Sequence, residues 1–512
     1  MLTGLGQGFA AALTPETLLL ALLGVFLGTV TGVLPGIGPV PAMAVLLPLT
    51  LRLNTLDAMV MLGGLYYGTQ YGDSMAAILV NVPSEPPAIV VARDGYPLSQ
   101  SGRPGVALSV AGASSFIGAI VGLLGVVILV GPMSALASDL QPSDYAMIAA
   151  LGLLLLPRIE GTGLPKGLVS IGLGLMVSTI GLDPVNGTPR FTFGVLQLTG
   201  GVELVSMAVG MFGLSVILES LVLRSSWPTL PHIKLRALLP TFEEGKRGLG
   251  GALRGAIVGL PLGLLPGPSL LLASFSAYGI ESRLKKGPVV PGEGSIPAIA
   301  AAKASDDAAV GGNLVPLLTL GVAFSPVTAM LLTGLLLHGA TPGPLFLSSS
   351  PALFWGIIAA MFMGNVALLV LNVPFAALFV NLLRIPAYVR ASALIMIMIV
   401  GTYAVRDSIT DVEVMVGFGL VGLIVPKLGL SRSLMILGLV LGPFLEDNLR
   451  RALTASNGSW AVFVERPVGV VVCVALAAVY IVVPVVRRIA RQRRADGTAL
   501  ALPGTGGTDR SG

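Results

Sequence analysis

The sequence predicts an all-α polytopic membrane protein of about 10–12 transmembrane helices, arranged as two inverted-topology repeats with broken or re-entrant helices. Three observations predict it. The chain is 54% hydrophobic and 11% charged, with a mean hydropathy of +0.91, where a soluble domain carries about 25% charged residues. From Ala308 to Leu383 there is no Asp, Glu, Lys or Arg, a run that holds about three spans at roughly 20 residues per crossing. Finally, Gly24, Gly28 and Gly32 run into Leu34-Pro35-Gly36, and Gly255, Gly259 and Gly263 run into Leu265-Pro266-Gly267.

Glycines four apart stack on one helix face and let another backbone approach. Proline then removes a donor and ends or kinks the helix. In a bilayer such a break survives only where protein or a water-filled cavity covers it. Past the break, Asp73 to Pro83 (DSMAAILVNVP) matches Asp306 to Pro316 (DDAAVGGNLVP) in pattern. On this reading the repeat offset is 231 residues at the break and 233 beyond it, a two-residue insertion. Paired, interrupted segments of this kind point to the substrate site of a secondary transporter.

Apolar segments fall at roughly 17–34, 37–51, 58–82, 105–132, 140–157, 167–182 and 196–223, then 255–280, 295–322, 326–347, 352–383, 388–405, 412–425, 431–445 and 467–486. The runs are too long and too continuously apolar for barrel strands. Several are too short to cross and read as half-helices or re-entrant pairs. The division is a first repeat at 1–223, a cytoplasmic connector at 224–254, a second repeat at 255–486 and a basic, disordered tail at 487–512. Lys and Arg of the connector and the tail put both on the cytoplasmic side, and the lack of Lys and Arg in the first sixteen residues puts the N-terminus outside. No basic n-region precedes the first apolar stretch, so a cleaved signal peptide is not expected.

Net charge is +5, but the basic residues lie in loops and tail, so nucleic-acid binding is not expected. One cysteine, Cys473, and two histidines, His232 and His338, leave no basis for a disulfide or for a cysteine or histidine metal site. There is no G-x-x-x-x-G-K-[ST] phosphate loop, no spaced Arg series of a voltage sensor and no Ser/His/Asp elbow, so no enzyme activity and no cofactor are expected.

The Pro35-Gly36 and Pro266-Gly267 breaks would free backbone groups at mid-membrane depth, N–H groups for an anion or carbonyls for a cation. Otherwise they are packing kinks. Asn81 to Pro86 and Gly312-Asn313-Leu314-Val315-Pro316 read as a second pair of breaks, with Asn and Ser offering neutral hydrogen bonds to carboxylates, or as plain helix ends. Asp73, Lys303, Asp306 and Asp307 are ionisable residues in apolar sequence, costly in a bilayer and candidates for a coupling-ion or substrate site. Lys303 precedes Asp306 and Asp307 by three and four residues, so a neutralised ion pair on one helix face is the alternative. Glu203 and Glu219 favour helix-end or bundle positions, and His338 a hydrogen-bonded structural one. Tyr66, Tyr67 and Tyr71 line a cavity or sit in an interfacial belt.

The chain resembles the large membrane subunit of tripartite tricarboxylate transporters. The likeness runs from about Gly8 to Val486. It is carried by GVLPGIGP (32–39), YYGTQYGDS (66–74), ILVNVPSE (78–85), DGYPLSQSGRPG (94–105), RFTFG (190–194), GLLPG (263–267), GGNLVPLLTLG (311–321), HGATPGP (338–344), GNV (364–366) and LGPFLEDNLRRAL (441–453). The resemblance implies a symporter of the bacterial inner membrane that imports a di- or tricarboxylate with protons or sodium. It implies two partners, a periplasmic solute-binding protein and a small four-helix membrane subunit. The implied pore residues are Pro35, Gly36, Tyr71, Gly72, Ser74, Asn81 and Pro83, with Pro266, Gly267, Gly311, Gly312 and Pro316 in the second half. The chain departs from the family pattern at Gly72-Asp73-Ser74, Pro83-Ser84, Lys303-Ala304-Ser305-Asp306-Asp307 and Ala323.

The function expected is thus secondary import of an organic carboxylate across the lipid bilayer. The alternatives are a channel or structural subunit without coupled transport, and a cation/proton antiporter using Asp73, Asp306 and Asp307.

Overall fold

The computed structural model describes residues 2–33, 38–81, 85–160, 163–183, 186–222, 240–265, 269–284, 289–372, 387–478 and 480. The first half comprises α1 (Leu2–Ala12), α2 (Pro15–Val33), α3 (Pro39–Thr50), α4 (Thr55–Val80), α5 (Pro86–Gln100), α6 (Pro104–Ser138), α7 (Pro142–Glu160), α8 (Leu164–Ser178), α9 (Leu204–Ala208) and α10 (Ser215–Val222). The second comprises α11 (Phe242–Gly263), α12 (Ser269–Leu284), α13 (Ile296–Leu320), α14 (Pro326–Leu337), α15 (Phe346–Ser349), α16 (Pro351–Asn372), α17 (Ala387–Arg406), α18 (Ile409–Ile424), α19 (Arg432–Ala455), α20 (Val462–Glu465) and α21 (Pro467–Ala477). The strand structure among the described residues is one short antiparallel ladder, Gly181–Leu182 on Pro189–Arg190.

Helices α4 and α13 form the centre. Every residue from Asp57 to Val80 and from Ile296 to Leu320 is buried. That explains how two helices carrying Gln70, Asp73, Lys303, Asp306 and Asp307 persist in an apolar protein: none of these side chains meets lipid. Among the described residues, four helices are long and apolar enough to cross a membrane: Pro15–Val33, Pro104–Leu136, Pro351–Leu371 and Ile409–Leu428. Three of these belong to the layer around α4 and α13, and several apolar helices of 11–15 residues accompany them.

The glycine faces do what their spacing predicts. A Cβ added at Gly24, Gly28 or Gly32 would overlap the carbonyl oxygens of Met61, Leu65 and Thr69; at Gly255, Gly259 or Gly263 it would overlap those of Ala301, Ser305 and Ala309. The partner numbers rise together, so α2 runs parallel to α4, and α11 runs parallel to α13. The chain must therefore return between them, through α3 and through α12; twelve helical residues rise about 18 Å.

The second contact of each central helix comes from the opposite half. Gly118 and Gly122 of α6 lie against Ala304 and Ala308 of α13, and Gly364 of α16 lies against Gly64 of α4. Ala304 is Gly64 plus 240. The same interval relates the helix ends: α4 stops at Asn81 (φ 56°) and α13 at Gly321 (φ 69°), both left-handed. It also relates the next helix starts, Pro86 of α5 and Pro326 of α14.

This corrects the sequence-derived pairing. Asp73 corresponds to Asn313 and Tyr66 to Asp306, and the offset grows by nine residues past the break, not two. The Asp…Asn…Pro likeness matched composition rather than packing register. It also corrects the second expected break: α13 runs unbroken through Gly312 to Pro316 and ends at Gly321. Pro316 removes one backbone donor from α13 without ending the helix.

Where the central helices meet they run in opposite directions. Lys303 Nζ donates to the Gln70 carbonyl at 3.4 Å, while Asp307, further along α13, is the electrostatic neighbour of Tyr67, earlier in α4. Two like modules with antiparallel central helices are an inverted pair.

Polar anchors fix these helices. Asn54 caps α4 by accepting from Asp57 N, and Thr17 of α2 donates to Asp57 Oδ1 at 2.7 Å. Asp94 Oδ1 accepts from the backbone N–H of Gly292, Gly294 and Ser295 at 2.8, 3.0 and 2.7 Å. A carboxylate thus holds the positive end of α13. Helix α11 starts at Phe242 with a Thr241–Glu244 capping box, inside the stretch read as connector. Arg254 is helical and pairs with Glu281 of α12 at 2.7 Å. Its charges sit on one face of an amphipathic helix, which a search for apolar runs passes over. Residues 223–239 and the tail lie outside the described residues.

Candidate functional site

The α4–α13 crossing places five ionisable side chains in one network, with Asp73, Lys303, Asp306 and Asp307 buried and Glu85 half-buried. Lys303 Nζ lies 3.1 Å from Asp306 Oδ2 and 3.0 Å from Asp307 Oδ2, and all three side chains are at most 2% exposed. Their spacing along one helix face produces the pairing. Lys303 also reaches the Gln70 carbonyl. Gln70 Nε2 donates to Glu85 Oε2 at 3.0 Å, and Glu85 N donates to Asp73 Oδ2 at 3.0 Å. The line Asp307–Lys303–Gln70–Glu85–Asp73 thus joins α13, α4 and the start of α5. Among the described residues, Asp306 and Asp307 pair with the single ammonium of Lys303. Burying like charge in this way is costly unless it is paired or neutralised.

Buried polar atoms without hydrogen-bond partners lie on the same two helices. Among the described residues, the Tyr66 and Tyr67 hydroxyls and Asn313 Nδ2 are donors that make no hydrogen bond, and Asp306 Oδ1 is an acceptor that makes none. The two tyrosine rings stack at 6.3 Å, and Asp307 neighbours both electrostatically. Asn313 Oδ1 accepts from Ser269 Oγ at 3.1 Å, and Ser269 opens the helix after the second Pro-Gly. Gly38, which follows the first Pro-Gly, lies beside the Glu85 carboxylate. Gly38 and Ser269, the first described residues after each Pro-Gly stretch, thus lie against Glu85 and Asn313. Buried polar groups are ordinarily paired, and hydroxyl and amide N–H groups are donors suited to carboxylate oxygens.

The remaining sequence candidates fall as follows. Pro35, Gly36, Pro83, Pro266 and Gly267 lie outside the described residues. Tyr71 is buried and its hydroxyl donates to the Leu108 carbonyl of α6 at 3.1 Å. Gly72 abuts Thr29 and Val33 of α2, Gly311 abuts Gly122, and Gly312 abuts Leu260 and Gly263; all three serve helix packing. Ser74 Oγ donates to the Gln70 carbonyl at 3.0 Å. Asn81 is the exposed C-cap of α4, and Pro316 is interior to α13. Asp73, Lys303, Asp306 and Asp307 share the network, whereas Asn313 lies about two turns further along α13 and bonds Ser269.

Sequence reading missed Gln70 and Glu85 as site members. Glu85 was legible as a carboxylate one residue before a helix-opening proline, next to a break. Gln70 carried no signal of its own. Outside the crossing, Glu203 accepts from Ser206 N as a helix-start cap, and Glu219 pairs with Arg432 at 3.2 Å. The His338 ring lies between two carbonyls, Gly334 O at 2.8 Å from Nδ1 and Thr50 O at 2.9 Å from Nε2, and the tautomer decides which accepts its N–H. Among the described residues no three His, Cys, Asp or Glu side chains are grouped to hold a metal.

The fold and its buried ionic crossing define a polytopic α-helical membrane protein of two inverted modules. The comparisons specify the family. The model of the tripartite tricarboxylate transporter TctA family matches residues 18–437, and the chain belongs to that family. It is 39% identical over 482 residues to an uncharacterized 52.8 kDa protein in the TAR-I ttuC' 3'region of Agrobacterium vitis, covering 94% of this chain and 96% of that one. It is 40% identical over 222 residues to an uncharacterized protein in the TAR-II ttuC' 3'region of the same organism, covering 42% of this chain and 92% of that one. No solved structure matches.

Proposed function

We propose that the chain is the membrane subunit of a binding-protein-dependent importer of an organic di- or tricarboxylate, driven by a proton or sodium gradient across the bacterial inner membrane. A periplasmic solute-binding protein delivers the anion, and a small four-helix membrane subunit completes the assembly. Membership of a tripartite transporter family supports the partners. The observation that carries the reading is the crossing itself, where buried unpaired donors stand beside surplus carboxyls at the junction of two inverted modules.

In this account Tyr66, Tyr67 and Asn313 supply hydrogen bonds to the substrate's carboxylates, and the flanking Pro-Gly segments complete the site. The surplus carboxyls take up the coupling cation, which lowers the repulsion an entering anion meets. Movement of one module against the other then exposes the site to either side. The test is uptake of labelled dicarboxylates and tricarboxylates by proteoliposomes holding both membrane subunits, with the binding protein outside and an imposed cation gradient. Accumulation that collapses with the gradient supports the reading. Gradient-independent equilibration favours a channel, and cation exchange with no organic anion moved favours the antiporter.

A further inference from the structure

We propose that the Lys303 ammonium is a tethered cation occupying what would otherwise be an alkali-metal site, so that this transporter works without sodium. The inference rests on the importer reading only for its consequence in transport. The site itself is argued from geometry. Three oxygens from two helices converge on Nζ: Asp307 Oδ2 at 3.0 Å, Asp306 Oδ2 at 3.1 Å and the Gln70 carbonyl at 3.4 Å. Two carboxylates and a carbonyl form the hard, anionic oxygen set that a small metal cation takes.

The lysine is wholly buried, so its charge is not a solvated surface charge that happens to point inward. Its stem rises from α13 while one acceptor belongs to α4. The ammonium therefore bridges the two inverted modules at their crossing, where a bound ion would act. An ammonium covalently attached to the chain cannot be exchanged with either side of the membrane. It can balance the carboxylates and tie the modules together, but it cannot carry a gradient. The cation left to drive import is then the proton, with Asp306, Asp307, Glu85 and Asp73 as the acids within the network.

The experiment reads stability rather than uptake. Wild-type protein purified with its lipid or detergent shell is melted in sodium, potassium and choline chlorides at equal ionic strength, beside Lys303→Ala. The wild type melts at one temperature in all three salts. Lys303→Ala, whose oxygens are left without their cation, melts a few degrees higher in sodium than in choline, with a saturable dependence on concentration. Lys303→Ala combined with Asp306→Asn keeps the triad's net charge of −1 and gives the same sodium response if the single variant does not fold.

A sodium-specific rise in the wild type would overturn the proposal, and so would variants that fold but show no preference for sodium. In proteoliposomes, a wild type that imports carboxylate only with sodium would overturn it while leaving the importer reading intact. Sodium-responsive variants of a protein that imports no carboxylate would leave the cation site standing and remove the importer reading.

Discussion

Asn81 and Gly321 end the two central helices in the same left-handed conformation, φ 56° and 69°, 240 residues apart. A side chain in that region costs about 1–2 kcal/mol unless the residue is glycine, with asparagine the best tolerated alternative. Gly321 also has the Pro342 carbonyl close by, 2.5 Å from where a Cβ would stand. Gly321→Ala is therefore expected to lose about 2 kcal/mol or more, from strain plus overlap. Asn81→Gly is expected to be neutral or slightly stabilising. Denaturant or thermal unfolding of the two variants checks the pair.

The glycine faces give a sharper contrast. Gly259 sits against the Ser305 carbonyl, whereas a Cβ at Gly279 of α12 meets nothing within 4 Å. Gly259→Ala must push α11 off α13 beside the ionic network, at about 1–3 kcal/mol, with loss of uptake. Gly279→Ala is expected to stabilise by about 0.5–1 kcal/mol through helix propensity. Equal effects at the two sites would contradict the packing described.

Removing one partner of a buried ion pair leaves an uncompensated charge, at about 3–5 kcal/mol. Lys303→Met in sodium-free buffer should show a loss of that size. Asp306→Asn should cost less, because Lys303 keeps Asp307 at 3.0 Å. The order of the two melting temperatures is the measurement.

Outside the apolar layer, Arg103 and Glu244 form a two-pronged pair with both N–O distances at 2.8 Å. The Arg103 guanidinium holds the Glu244 carboxyl down at about 2, against an ordinary value of 4.5. A carboxyl depressed in the folded state stabilises above its unfolded value, and that contribution disappears as pH falls through the folded one. The bridge should therefore weaken between about pH 4.5 and 2. Its partial exposure makes the effect small and salt-sensitive. Glu244→Gln should flatten this acid limb in a pH series of melting temperatures, and high salt should mimic it.

Much of this was legible in the sequence. Glycines every fourth residue mark close backbone approach, because only a missing Cβ allows it, and both triplets lie where that rule puts them. Lys303, Asp306 and Asp307 were legible as an ionic group from their spacing alone. The pairing of the halves was not. It depends on which turn of α13 meets α11, and the Asp…Asn…Pro pattern had an attractive false register seven residues away from the true one. Gln70 was not legible because a single glutamine acquires meaning only when a second helix brings a lysine beside it, while Glu85 was marked only by its place before a helix-opening proline. The start of α11 was hidden by charges on its exposed face.

The central claim is that the inverted modules enclose one carboxylate site that faces each side in turn. Counterflow tests it most directly. Proteoliposomes containing both membrane subunits are loaded with unlabelled di- or tricarboxylate and diluted into trace labelled substrate with the binding protein. The account predicts a transient overshoot of label, reduced at least tenfold by Tyr66→Phe with Tyr67→Phe in protein that melts within a few degrees of wild type. Label that only equilibrates, at the same rate whether or not the lumen holds unlabelled substrate, would contradict it.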